Sequence, residues 1–193
     1  MTNDMKEKPA LLIVDMLKGN FDESRNLAIT PRAKRIIEPI NRLSAVFRRE
    51  GWPVIFPSDA FNEDDFIFSA GVRPHSLAGT VDAEVVDDLD QKEGDLFFPK
   101  PRFSGFFKTD LDQRLREMEV TLCAVAGIVT GFCVLTTVLD AVAHDFKAVL
   151  LEDCTASPNE VMQEQTLNLY RRNPLSPLLR VLTAPQLIEE LVG

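Results

Sequence analysis

Cys133 closes a small, apolar run, Leu-Cys-Ala-Val-Ala-Gly-Ile-Val-Thr-Gly-Phe-Cys-Val (122–134), where a buried strand gives way to a helix. A thiol in a first helical turn meets unpaired N–H groups and the positive end of the helix dipole, which favour the nucleophilic thiolate. Position alone leaves a plainer reading, a small core hydrophobe. A nucleophile also needs a base and a counter-charge, and two charged residues stand in comparable places. Asp15 follows the apolar run Ala10–Val14, and Lys100 sits where the run Asp95–Phe98 is stopped by Pro99-Lys100-Pro101. A carboxylate can take the thiol proton, and an ammonium can stabilise the thiolate while keeping the carboxylate ionised. Singly, Asp15 reads as the cap of a turn and Lys100 as a solvated strand end; together with Cys133 they match what a thiol nucleophile needs, a base and a cation. The two histidines support this by elimination. His144 lies eleven residues beyond Cys133 on the same predicted helix, roughly 16 Å along its axis, out of reach of the thiol. His75 lies in a long loop, where a metal or substrate role suits it as well as a basic one.

These residues meet only if the fold carries them to one edge. The order of elements reads strand, helix, strand, long loop, then strand and helix in alternation, which predicts an α/β fold: three αβα layers around a mainly parallel, doubly wound (Rossmann-like) sheet. In such a sheet Asp15, Lys100 and Cys133 share the carboxyl edge, where ligands bind at the reversal of strand order. A helix is predicted from about Arg32 to Glu50, with Thr30 as N-cap, Pro31 at its first position, Gly51 as its stop and a kink or break at Pro39. Strands are predicted over Pro53–Phe56, Val120–Ala126, Lys147–Leu151 and Arg180–Leu182, and helices over Thr109–Met118 and Phe132–Phe146. Ser157-Pro158-Asn159-Glu160 and Thr183-Ala184-Pro185-Gln186 both read as caps of following helices. Residues 57–93 lack periodicity, carry Glu63-Asp64-Asp65, and are longer than a plain connector.

Composition narrows the function class. The chain has 193 residues, 45% of them hydrophobic, enough for one domain spanning 1–193 without staples. Cys123, Cys133 and Cys154 form no Cys-x-x-Cys pair, which argues against a disulfide framework or a cysteine-rich zinc site. A net charge of −9 argues against a nucleic-acid partner. With no signal-peptide pattern at the polar N-terminus and no run approaching roughly 18 apolar residues, no membrane partner is expected and the expected location is cytoplasmic.

Four segments carry a resemblance across nearly the whole chain: Leu-Leu-Ile-Val-Asp-Met (11–16), Pro-His-Ser-Leu-Ala-Gly-Thr (74–80), Pro-Lys-Pro-Arg-Phe-Ser-Gly-Phe-Phe-Lys-Thr-Asp-Leu (99–111) and Gly-Ile-Val-Thr-Gly-Phe-Cys-Val (127–134). In this order and spacing the chain resembles the isochorismatase-like cysteine hydrolases, and within them the nicotinamidase/pyrazinamidase branch. The resemblance places the family's catalytic Asp-Lys-Cys triad on Asp15, Lys100 and Cys133. It implies a cis peptide between Ile128 and Val129, with the N–H groups of Val129 and Cys133 as an oxyanion hole. The implied activity is hydrolysis of the C–N bond of a small amide through a thioester. Retention of the cysteine argues against isochorismate itself as substrate. Phe21, Phe61 and Ile128 are the expected pocket lining. The family's metal site would fall on Asp59, residue 61 and His75; Phe61 cannot ligate, so Asp59 and His75 are either an incomplete site for a divalent ion such as zinc or simply polar pocket residues. No cofactor is required by this reading. The alternatives are a metal-independent hydrolase of an N-carbamoyl or maleamate-type compound, for which Arg73 and Arg102 are candidate carboxylate partners, and a silent small-molecule binder or scaffold. The resemblance and the apolar Leu178, Leu179 and Val181 predict a homo-oligomer.

Overall fold

Alternating buried strands and helices assemble, in a computed structural model that describes residues 7–193, into a six-stranded sheet. The strands are β1 (Pro9–Val14), β2 (Val54–Asp59), β3 (Leu96–Lys100), β4 (Leu122–Ile128), β5 (Lys147–Ala156) and β6 (Leu179–Leu182). Their order is β3-β2-β1-β4-β5-β6 and every pairing is parallel. Strand order therefore reverses between β1 and β4, the place where a doubly wound sheet opens a crevice. Parallel strands buried on both faces need apolar residues throughout, and all residues of β1 and β4 are buried.

The period-2 alternation of the strands divides the core into two layers. Leu11, Ile13, Ala124, Ala126, Val149 and Leu151 face helices α2 (Thr30–Arg49) and α6 (Ala184–Val192). Leu12, Val14, Cys123, Val125, Ala148 and Leu150 face α3 (Leu111–Glu117), α4 (Leu135–Ala143) and α5 (Glu160–Arg171). The expected three-layer αβα architecture is the one observed. No helix among the described residues is long and apolar enough to cross a membrane.

Several local expectations are corrected. Thr30 does not cap α2; it lies within the helix, and its hydroxyl donates to the Asn20 carbonyl at 2.8 Å. Pro39 neither breaks nor ends α2, because the carbonyl it leaves without a donor belongs to exposed Arg35, where water can serve. Pro99 does not stop β3, because β3 is an edge strand in which a missing N–H is tolerated. Ser157 does not cap α5; Asn159 does, its Oδ1 accepting from the Met162 N–H at 2.9 Å. The terminal helix keeps its expected box, Thr183 with Gln186. Of Leu178, Leu179 and Val181 only Leu178 is exposed; strand alternation turns Leu179 into the core and Val181 is half-buried. The stretch after Asp15 includes a one-turn helix, α1 (Lys18–Phe21). Isolated bridges tie the long excursion down, Leu17 to Val85 and Phe61 to Leu77.

Candidate active site

Three of the candidate side chains sit at or just beyond a strand end, and Cys133 lies in the turn that follows β4. Asp15 follows β1 in the left-handed region (φ 54°), a conformation uncommon outside glycine and worth attention when it occurs beside a cluster of charges. Its carbonyl accepts from the Leu17 N–H at 2.8 Å and from Asn20 Nδ2 at 3.0 Å, and its N–H donates to the Pro57 carbonyl at 3.2 Å. That turn leaves the carboxylate pointing across the sheet edge. Asp59 ends β2 and Lys100 ends β3, in register with each other. At the fourth strand end, Gly127 has φ 107°, and a Cβ built there would lie 2.0 Å from the Val14 carbonyl oxygen. Only glycine lets β4 approach β1 this closely at the crevice.

Lys100 is fully buried and bridges the two carboxylates, 2.9 Å from Asp15 Oδ2 and in direct contact with Asp59 Oδ1. The Asp59 N–H in turn donates to Asp15 Oδ1 at 2.8 Å. Cys133 closes the cluster, its Sγ and the oxygens of Asp15 and Asp59 lying within 4.8 Å of one another. The structure thus brings Asp15, Lys100 and Cys133 together and adds Asp59. The strand-end pattern that marked Asp15 and Lys100 applies equally to Asp59, but Pro57 made β2 look shorter than it is.

Electrostatics set the resting protonation. Burial pulls the Lys100 ammonium toward the neutral form, but Asp15, Cys133 and Asp59 outweigh it and its pKa is raised. Burial, then repulsion from Asp15, pushes the Asp59 carboxyl up to about 7. Burial and the neighbouring Asp15 likewise push the Cys133 thiol well above its ordinary value, although Lys100 pulls the other way. The helix start favours a thiolate, but burial and the neighbouring Asp15 both favour the neutral thiol. The helix start itself differs from expectation. Residues Thr130–Val134 form one π-helical turn before α4, with the Val129 carbonyl accepting from Phe132 (2.9 Å) and Val134 (3.4 Å). Such wide turns often mark functional sites. The Cys133 carbonyl is held by the Thr137 hydroxyl at 2.7 Å, which itself accepts from the Gly105 N–H at 3.0 Å. The Ile128–Val129 peptide is cis. The Val129 N–H finds no acceptor among the described residues.

The remaining predicted residues surround rather than enter this cluster. Ile128 is buried at the end of β4. Phe21 is half-buried against the α2 layer. Phe61 is buried, with edge-on contacts to Phe68 (5.6 Å) and His75 (5.5 Å). His75 Nδ1 lies 3.1 Å from the Arg73 carbonyl. Arg102 is paired with Asp65 at 2.9 Å.

These donors do not fit a zinc centre, which takes at least three protein ligands. Asp59 is engaged by Lys100, Phe61 offers no donor atom, and His75 stands against two phenylalanine rings outside the Asp15, Asp59 and Cys133 cluster. A cation placed among Asp15, Asp59 and Cys133 would have to displace the Lys100 ammonium.

The chain is similar to known hydrolases over most of its length. The ureidoacrylate amidohydrolase RutB of Klebsiella pneumoniae subsp. pneumoniae is 28% identical over 190 residues, covering 84% of this chain and 80% of that protein. The crystal structure of N-carbamoylsarcosine amidase from Thermoplasma acidophilum superposes with a TM-score of 0.78 at 28% identity, over 92% of this chain and 96% of that one. Pyrazinamidase of Pyrococcus horikoshii, solved in complex with zinc, gives a TM-score of 0.77 at 27% identity, over 91% and 99%. The sequence matches the Isochorismatase domain over residues 9–183, which takes in every strand and the whole Asp15, Asp59, Lys100 and Cys133 cluster, and the chain belongs to the isochorismatase family of hydrolases.

Proposed function

We propose that this hydrolase cleaves the C–N bond of a small N-carbamoyl (ureido) compound through an S-acyl Cys133 intermediate, a thioester whose acyl carbon keeps the second ureido nitrogen (a thiocarbamate), with no metal in the reaction. The observation that carries the mechanism is the buried contact of one thiol, one carboxylate and one ammonium at the strand ends. As the sulfur attacks the substrate carbonyl, Asp15 accepts the thiol proton, so the thiolate exists only along the reaction path. Lys100 keeps Asp15 ionised and offsets negative charge as it shifts from carboxylate to sulfur and oxygen. The Val129 N–H, which has no acceptor among the described residues, and that of Cys133 receive the developing oxyanion. Collapse of the tetrahedral adduct breaks the C–N bond, and Asp15 returns its proton to the departing nitrogen. Water, deprotonated by Asp15, then hydrolyses the thioester, and the proton goes back to the sulfur.

Two relatives support the substrate class, since one is named for ureidoacrylate and the other for N-carbamoylsarcosine. Phe61 supports the absence of a metal step, because it places an apolar wall where a ligand would be needed. Nicotinamide is the second reading, favoured by the likeness to a pyrazinamidase. Ammonia release from a panel of N-carbamoyl amino acids, ureidoacrylate and nicotinamide, with and without a chelator, separates the two. Chelator-insensitive turnover of an N-carbamoyl compound is the expected result. Turnover confined to nicotinamide and abolished by the chelator would replace this reading by the second. An assembly of several copies in the cytoplasm belongs to the same proposal, with exposed Phe103 and Phe132 as apolar surface; light scattering on the purified protein reads the mass directly.

A further inference from the structure

A buried glutamine from α5 reaches the turn that carries the Val129 and Cys133 N–H groups. Thr130 is fully buried, and its hydroxyl donates to Gln163 Oε1 at 2.7 Å. Gln163 Nε2 donates onward to the Thr155 carbonyl at 3.2 Å and lies 3.4 Å from the Thr155 hydroxyl. Thr155 belongs to β5 and pairs with Gly127 of β4, so the amide links the turn back to the sheet at the level where β4 ends. At the next residue α5 touches the turn again. A Cβ built on Gly131 would lie 3.0 Å from the Thr166 hydroxyl, which is itself fixed to the Met162 carbonyl at 2.8 Å.

A primary amide is costly to bury unless its donors and acceptor are met, and here the carbonyl and the N–H₂ group both are. The partner it meets immediately follows Val129, whose N–H must point at the reacting oxygen. A shift of the Thr130 backbone would swing that N–H away while leaving Cys133, held separately through Thr137 and α4, in place. We propose that Gln163 is a positioning residue: acting through Thr130, it fixes the direction of the Val129 N–H and thereby sets oxyanion stabilisation without touching the substrate. This inference rests on the thioester reading above.

Two reagents that attack the same sulfur separate the roles. With p-nitrophenyl acetate, an S–C bond forms at the carbonyl through an oxyanion, the C–O bond to p-nitrophenolate breaks, and the thiol proton passes to Asp15. With iodoacetamide, an S–C bond forms as iodide leaves and the thiol proton again passes to Asp15, but no oxyanion arises. Thr130→Val and Gln163→Met are expected to slow acylation of Cys133 by roughly 10- to 100-fold while changing alkylation by less than about twofold, in line with the cost of small misplacements. Thr130→Ser, which keeps the hydroxyl, retains both rates. Equal losses in both reactions would show a merely structural contact and overturn the proposal, as would unchanged acylation. If Gln163→Met fails to fold, the near-isosteric Thr130→Val decides. A wild-type protein whose Cys133 is alkylated but never acylated would refute the thioester reading, and this inference with it.

Discussion

The same pairing of lysine with carboxylate behaves in opposite ways at two places in this molecule. Lys8 and Glu119 pair at 2.7 Å with side chains 55% and 77% exposed, and the lysine draws the Glu119 carboxyl below its ordinary value. Lys100 touches Asp59 in the interior, yet the Asp59 carboxyl is pushed up to about 7, because burial and Asp15 outweigh the ammonium. At the surface water has already screened the charges, so the pair changes little. Inside, three charged groups and a thiol are held together at a cost that apolar residues would avoid. A fold keeps such a cluster where chemistry uses it.

Breaking the interior cluster gives the largest expected effects. Lys100→Met leaves Asp15 and Asp59 facing each other without a cation and is expected to destabilise the protein by about 3–5 kcal/mol, the usual cost of stranding a buried charge. Urea unfolding at pH 7 checks this, and turnover should be lost with it. Gly127→Ala strains the crevice without changing a charge. Its methyl group meets the Val14 carbonyl oxygen at 2.0 Å in a backbone conformation costly for alanine, and a loss of at least about 1–3 kcal/mol is expected in the same titration.

Asp59→Asn sharpens the contrast through pH. An unfolded aspartate ionises near 3.8, whereas folded Asp59 holds its proton to about 7. Between those values the native state binds the extra proton, so this group's contribution to stability falls as pH rises and levels off above 7. The variant lacks that fall. Its Tm relative to wild type should therefore rise from pH 5 to pH 8; a difference independent of pH would show that Asp59 is ionised throughout. Lys8→Ala is the smallest perturbation, and its Tm should match that of wild type at moderate salt.

Much of this was legible in the residues because strand ends are. The apolar runs before Asp15 and Lys100, and the Gly-x-x-x-Gly break before Cys133, mark one edge of a parallel sheet without any coordinates. Asp59 escaped as a partner of Lys100 because a proline inside a strand looks like its end, while Pro57 in fact supplies the carbonyl that receives the Asp15 N–H. The helix-terminus argument for the thiol counts nearby N–H groups, whereas burial first, and then the carboxylates of Asp15 and Asp59, act in the opposite direction, and neither can be read from the sequence around Cys133. Gln163 carries no signal at all in sequence, since its role depends on where α5 lies against the turn.

If Cys133 is the nucleophile, turnover by Cys133→Ala is lost. The variant is expected to show unchanged circular dichroism and a Tm close to that of wild type, no ammonia release above the uncatalysed rate, and no acyl adduct by intact mass where wild type shows one. Appreciable turnover by the alanine variant would contradict a covalent mechanism and leave the buried cluster as a general-base site acting on water.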